Sequence, residues 1–370
     1  MSYLPGMCIN DIDTPALLVD MDVMEANILR MAAFTRAHGI ALRAHVKNHK
    51  IPDLAWRQVR AGAVGIVCQK LGEAEVMADA GLEDMLIPYP IIGPIKVRRL
   101  LALARRVQVI TVVDSYEGAA AISAAAVAEG QCISTMIEVD TGYHRCGVAP
   151  EEAAPLAQAI IREMPGLRFT GLMAYEGHVY SLTTPEGADA EAVRSFDRLA
   201  ACVAQVRASG IPVACVSSGS SVTFRAAAAN GSITEIRAGG YLFGDRSVME
   251  LGGASLADCS LTVLSTVVSV KGGNHVVIDA GAKTLSLATL DGVPGYGLVL
   301  GHEESPIGRI ADEHGMIQVP ENGRPFVLGE RIQIVPNEHT TVVNQFSELI
   351  GVRAGRVEQV WPIAARGFMQ

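Results

Sequence analysis

Nothing in this 370-residue chain calls for a membrane, for nucleic acid or for an oxidising compartment. No uncharged apolar run approaches the roughly 18 to 20 residues that a membrane helix needs, so no membrane partner is expected. Basic residues are in deficit, 30 Lys and Arg against 39 Asp and Glu, for a formal net charge of -9. Affinity for nucleic acid comes mainly from basic side chains that neutralise phosphates, so no nucleic-acid partner is expected either. The cysteines at 8, 68, 132, 146, 202, 215 and 259 are odd in number and never fall into C-x-x-C, which suits reduced thiols rather than a disulfide framework. Aromatic residues make up only 5%. The opening MSYLPGMCINDIDTP lacks a basic segment followed by an apolar one, so no secretory signal and a cytoplasmic location are expected.

What is present is a chain 49% hydrophobic with 37 Gly, a composition that packs. Apolar, β-branched runs lie at 16–22, 41–47, 65–69, 84–90, 108–114, 132–140, 168–175, 212–218 and 234–238. Between most of them stand stretches with helical spacing, such as VMEANILRMAAFTRAHG and GPIKVRRLLALARR. Continuous apolar strands separated by helices predict a parallel sheet covered on its outside, and eight such units make a closed (β/α)8 barrel. Nine strand candidates leave one to belong elsewhere. After about residue 250 the pattern becomes SLTVLSTVVSV, HVVIDAGAKTLSL, GMIQV, RIQIVP and RVEQVWPIAA, which predicts a C-terminal all-β domain. The expected division is 20–250 for the barrel and 251–370 for the β domain.

In such a barrel, functional residues sit at the C-terminal ends of the strands. The polar residues there are His45 and Lys47, Gln69, Tyr89, Asp114, Asp140 with His144 and Arg145, Tyr175 with Glu176 and His178, and Ser217 to Ser221. Lys47, in LRAHVKNHK, is the natural nucleophile: a lysine partly desolvated near other cations has a lowered pKa and can form a Schiff base with a carbonyl. The competing reading is a surface lysine in a basic loop. VSSGSSVT (216–223) precedes a helix start and offers backbone N–H groups and hydroxyls to a phosphate, and RAGGYLFGD (237–245) offers a second glycine turn. Either loop alone is weak, since many Gly/Ser loops merely cap helices. Lysine and phosphate cradle together point to pyridoxal 5′-phosphate. Arg145 would lie near the cofactor's phenolate oxygen, where a permanent cation stabilises negative charge; otherwise it is a loop arginine paired with Asp140. Tyr175, His178 and Tyr180 would pack on the ring or move protons.

TPALLVDMD, RAHVKNHK, CQKLGEAEVMADAG, EVDTGYHRCGV, VSSGSSVT, EIRAGGYLFGD, VIDAGAKTLS, DEHG and VPNEHTTVVN, in this order, resemble the D-threonine aldolase and D-serine dehydratase family of fold-type III pyridoxal phosphate enzymes, which includes 3-hydroxy-D-aspartate aldolases. The likeness runs from about residue 10 to 367. It implies an alanine-racemase-like barrel followed by a β domain, with residues 1–19 packing on that domain. It also implies Lys47 as covalent anchor of the cofactor, with Arg145 beside its phenolate oxygen and Gln69 at a polar position near it; Tyr175 and Tyr180 remain candidate cofactor-binding residues from their place at the strand ends. Gly219, Ser220, Ser221, Gly240 and Tyr241 would surround the phosphate, and Ser218 and Gly239 are further candidate cofactor-binding residues. A homodimer is implied as well.

One motif departs from the family. Its members usually carry His-x-Asp or His-x-Cys after a proline near the end of the β domain, binding a divalent cation that contacts the substrate hydroxyl. Here Pro336-Asn337-Glu338-His339-Thr340 puts Glu338 and Thr340 at those positions. Glu338 and His339 are then the candidate ligands for Mn, Mg or Zn, and they converge only if the backbone is a loop, because neighbours on a strand face opposite ways. The other reading is a polar turn without metal. His314 of ADEHG is a further candidate polar group or a packed turn residue.

The resemblance implies cleavage of a β-hydroxy D-amino acid, D-threonine-like or 3-hydroxy-D-aspartate-like, to glycine and an aldehyde. Lys47, Arg145 and His178 are the expected catalytic residues, and His178 or a metal-bound water is the base. The alternatives are dehydration to a keto acid and ammonia, racemisation, and a pyridoxal phosphate-binding protein without turnover.

Overall fold

The computed structural model describes residues 3–272 and 274–370. Strand β1 (Ala16–Asp20) and helix α1 (Met21–His38) are followed by eight strands that close into a barrel: β2 (Ala41–His45), β3 (Gly65–Val67), β4 (Asp84–Ile87), β5 (Gln108–Val113), β6 (Ile133–Glu138), β7 (Leu167–Met173), β8 (Cys215–Ser217) and β9 (Glu235–Ile236). Every neighbouring pair around the ring is parallel. Helices α2 (Pro52–Ala61), α3 (Leu71–Asp79), α4 (Pro94–Ala104), α5 (Tyr116–Ala128), α6 (Ala153–Glu163), α7 (Pro185–Ala208) and α8 (Phe224–Ala229) fill the crossovers. Their starts are written locally. Pro52, Pro94 and Pro185 stand in first turns, where the missing N–H is no loss, and the hydroxyls of Ser115 and Thr184 accept the amides of Gly118 (3.3 Å) and Gly187 (3.1 Å). Strand residues Val67, Leu86, Val112, Met136 and Met173 form one buried cluster.

The surplus strand candidate is β1. It pairs antiparallel with β10 (Leu261–Lys271) and parallel with β16 (Glu348–Arg353). The same sheet includes β11 (His275–Ile278), β12 (Gly297–Val299), β13 (Ile307–Ile310), β14 (Gly315–Gln318), β15 (Arg331–Pro336) and β17 (Arg356–Pro362). All of its pairings except β1 with β16 are antiparallel.

The chain divides into two compact units, one formed by Arg30–Gly239 with Gly367–Gln370, the other by the chain up to Leu29 with Gly240–Arg366. The boundary between the two units on this side falls at 239/240. The segment after it is tied to its own unit: Phe243 O accepts the Ser260 amide at 2.7 Å, and Asn27 Nδ2 donates to Leu242 O and Asp258 O at 3.1 and 2.9 Å. At the other end, the Gly72 amide donates to Gln370 O at 2.8 Å, which keeps the last residues with the barrel.

Candidate active site

Lys47, Gln69, Arg145, Tyr175, Gly219 and Ser220 line one pocket at the C-terminal end of the barrel strands. His45 and Arg237 complete its polar wall. The run 41–47 is not straight strand to its end. β2 stops at His45 and the chain turns through a 3-10 segment, Val46–Asn48, because side chains there satisfy the backbone. Asn48 Nδ2 donates to His45 O at 2.7 Å, and the Lys47 amide donates to His45 Nδ1 at 3.5 Å. The other ring nitrogen, Nε2, meets Gln69 Oε1 at 3.2 Å. Burial, with Lys47 and Arg237 close by, pushes the His45 pKa well below its ordinary value, so the imidazole is neutral and donates from Nε2.

The remaining members of the LRAHVKNHK cluster are structural. Lys50 is buried, at φ 58°, with Nζ 3.2 Å from Glu73 Oε1; the other Glu73 oxygen accepts the Gln69 amide at 2.7 Å. Lys50, Glu73, Gln69 and His45 therefore form a circuit around the Lys47 turn. His49 is fully buried, its Nε2 on Gln58 Oε1 (3.1 Å) and its Nδ1 accepting the Ile51 amide (3.0 Å) at the start of α2.

Arg145 does not pair with Asp140. Asp140 is taken by the Gly142 and His144 amides and by His144 Nδ1 at 2.8 Å. The Arg145 guanidinium instead stands over the rings of Tyr143 (4.9 Å) and Tyr175 (5.0 Å), with Nη2 3.9 Å from Glu138 Oε1. Glu138, at the end of β6, is a site residue that sequence reasoning missed. Burial raises its pKa to about 6, because the half-exposed Arg145 offsets only part of the desolvation and Asp114 and Asp140 add repulsion. Burial and Glu176 likewise push the Tyr175 phenol up, so it keeps its proton.

Gly219 in the Ser/Gly loop has φ 108°, and a Cβ there would meet Ala227 at 2.9 Å, so the backbone lies bare against α8. Ser220 and Ser221 are buried beside it, and the Tyr180 hydroxyl donates to Ser220 Oγ at 3.3 Å. Ser218 turns elsewhere: its hydroxyl is 3.0 Å from both Ala174 O and Glu176 Oε2, and Glu176 also receives Thr223 Oγ1 at 2.5 Å. Gly239 serves the Lys47 turn, since a Cβ there would collide with Asn48 Nδ2 and His45 O. Gly240 and Tyr241 lie in a 3-10 turn that begins the other unit.

Arg237, one residue past β9, was also missed. Its guanidinium donates to Ser217 Oγ (2.8 Å) and Ala174 O (2.5 Å); Ser217 donates to Glu235 (2.7 Å), which holds Arg43 (2.9 Å), which reaches Asp84 (2.5 Å). Burial pulls the Arg237 pKa down against the support of Glu176, Glu235 and Glu138. This buried polar ladder exists only once β8, β9 and β2 are neighbours, and a short strand ending in EIR carries no signal of it.

His178 is not among the pocket walls. Its Nε2 lies 3.0 Å from Glu191 Oε1 on α7 and 3.3 Å from Ser195 Oγ, Tyr143 stacks on its ring at 6.2 Å, and its buried Nδ1 has no partner among the described residues. Burial alone would raise the Glu191 carboxyl, but hydrogen bonds from Arg194 and His178 bring it below the usual carboxylate range.

In the C-terminal unit the expected metal pair takes separate partners. A short helix starts at His339, and Glu338, at its cap, accepts the hydroxyls of Thr340 (2.6 Å) and Thr341 (3.0 Å). His339 is buried with Nδ1 2.5 Å from Asp245 Oδ2, and its amide donates to the same oxygen at 3.0 Å. Among the described residues no three His, Cys, Asp or Glu side chains are grouped to hold a metal ion. The residues present do not fit the expected cation. His314 is exposed in the turn between β13 and β14.

Residues 19–247 match the family model described as alanine racemase, N-terminal domain, and residues 260–352 match a serine dehydratase domain. The chain is 37% identical over 367 residues to a D-threonine aldolase of Arthrobacter sp, covering 98% of this chain and 95% of that one. The crystal structure of D-threonine aldolase from Filomicrobium marinum superposes with a TM-score of 0.92 at 33% identity, covering 100% of both chains. D-threo-3-hydroxyaspartate dehydratase from Delftia sp. HT23 superposes with a TM-score of 0.87 at 32% identity, covering 96% of this chain and 98% of that one. A mutant of a dehydratase of that name has been solved in a metal-free form.

Proposed function

Because the chain belongs to the D-threonine aldolase family, with an alanine racemase N-terminal domain, we propose that it is a pyridoxal 5′-phosphate-dependent lyase that cleaves β-hydroxy D-amino acids to glycine and an aldehyde. D-threonine-like and 3-hydroxy-D-aspartate-like substrates are the classes that fit this reading. The observation that carries it is the convergence of the Lys47 amine, two guanidinium groups and a bare Gly/Ser backbone on one barrel-mouth pocket. When bound, the cofactor supplies the electron sink for the pair released as the Cα–Cβ bond breaks.

The chain's own groups divide the remaining work. Lys47 anchors the cofactor, held in its turn by the neutral His45. Arg145 and Arg237 supply fixed positive charge, and an arginine does not release its proton there. Gly219, Ser220 and Ser221, with Tyr180 through Ser220, receive the phosphate; Ser218 supports that loop from beneath by bonding Ala174 and Glu176. Tyr175 stays protonated and packs under Arg145. His178 is the proposed acceptor of the β-hydroxyl proton: Glu191 fixes Nε2 as the protonated nitrogen and stabilises the imidazolium that forms, which leaves Nδ1 to take the proton. Glu338, His339 and a cation take no part in this division of roles. A cytoplasmic homodimer is part of the same reading.

Dehydration is the second reading, favoured by the dehydratase relative of nearly equal identity. The test is the visible spectrum of the purified protein before and after borohydride, followed by product analysis with D-threonine. An absorption band lost on reduction and absent in Lys47→Ala, together with glycine and acetaldehyde, is the expected result. Keto acid and ammonia would move the protein to the dehydratases, and no band after reconstitution with the cofactor would overturn the role of Lys47.

A further inference from the structure

In the stretch 337–341 the side chains of Asn337, Glu338, His339, Thr340 and Thr341 each hydrogen-bond to protein groups. A divalent cation needs side-chain donors that converge on it with lone pairs free, three or four for zinc and as few as one or two carboxylates for magnesium, with water filling the remaining positions. Here both oxygens of Glu338 accept hydroxyl protons from its own helical turn, and one of those hydroxyls belongs to Thr340, the second motif position. The two positions that a cation would bridge are hydrogen-bonded to each other instead.

The flanking residues close the site further. Asn337 is fully buried, its Nδ2 donating to Ala288 O and Gly295 O at 2.9 Å each and its Oδ1 accepting from Arg246 Nη1 at 3.1 Å. Arg246, buried, also donates to Pro294 O at 3.0 Å. The Asn337 side chain next to Glu338 is thus committed to a fixed guanidinium and two backbone carbonyls. His339 is turned onto Asp245, whose other oxygen accepts Ser247 Oγ (2.7 Å) and the Val248 amide (2.9 Å).

We propose that this chain has exchanged the divalent cation of its relatives for a closed hydrogen-bond network, Glu338 with Thr340 and Thr341, Asn337 with Arg246, and His339 with Asp245, and that it works without a metal ion at this position. The consequence for the substrate hydroxyl is that its proton goes to a protein base and not to an ion-bound water. That consequence rests on the lyase reading; the closed network does not.

The experiment uses the cofactor-loaded enzyme after dialysis against EDTA. Elemental analysis gives its metal content, and titration with Mn is followed by the EPR signal of the free ion. Glycine release from D-threonine is then timed in EDTA and in added Mn. Metal far below one ion per chain, an undiminished free-Mn signal and equal rates are expected. An ion retained near one per chain, saturable loss of the Mn signal, or activity that collapses in EDTA and returns with Mn would overturn the proposal. Should no glycine form in either condition, the lyase reading fails on its own and the metal content and EPR titration still decide this one.

Discussion

Glu138 shows how a single buried carboxyl sets a pH response. Its pKa is raised from 4.5 to about 6, so the folded chain holds the proton more tightly than the unfolded chain does. The sign follows from linkage: the stabilisation is complete below pH 4.5 and is lost as pH rises through about 6, a change of about 2 kcal/mol for a shift of this size. Glu138→Gln removes the titration. Urea unfolding of variant and parent across that window should show the variant gaining about 2 kcal/mol relative to the parent as pH rises; parallel profiles would mean the carboxyl is not desolvated. At this scale the sequence was legible for residues whose type announces chemistry at a strand end, Lys47, Gln69, Arg145 and Tyr175, all of which reach the pocket. It was illegible for Glu138 and Arg237, which look like ordinary charges until the closed barrel buries them.

At the level of the element, the 3-10 turn carrying Lys47 is shaped as much by β9 as by its own residues. Gly239 leaves no room for a side chain beneath Asn48 and His45, with even the His45 Cβ only 2.9 Å from where a Cβ would stand. Gly239→Ala would force the turn outward, and overpacking of this kind costs about 1–3 kcal/mol. Because Asn48 and His45 are the two residues that shape the turn, the variant should also bind the cofactor more weakly. A thermal midpoint and a cofactor titration check the pair of effects; a drop in stability with unchanged affinity would mean that the turn tolerates the shift. The strand pattern predicted the run 41–47 as one element and overshot by two residues, since a side-chain cap from Asn48 outcompetes extension there. In the same way adjacency of Glu338 and His339 suggested a ligand pair, but a helix beginning between them sends each to its own partner.

For the chain as a whole, the alternation of apolar runs and amphipathic stretches was enough to specify a closed parallel barrel, because each strand must be covered on both faces. It was not enough to place the ninth run, whose partners β10 and β16 lie more than two hundred residues downstream. β1 sits between them in the sheet, with Leu18 opposite Thr262 on one side and Ile350 on the other. The long excursion through the barrel therefore separates strands that must find each other late, and the sheet's continuity depends on five residues near the start of the chain. Leu18 is fully buried in a cluster with Ile12, Leu264 and Ile350, so Leu18→Ala should cost about 2–5 kcal/mol. The diagnostic is where protection is lost. Hydrogen exchange at Thr262–Leu264 and at Ile350–Val352 should accelerate together in the variant, because with β1 loosened neither strand keeps its central partner; acceleration on one side alone would mean that β10 and β16 are held independently and that β1 only covers an edge.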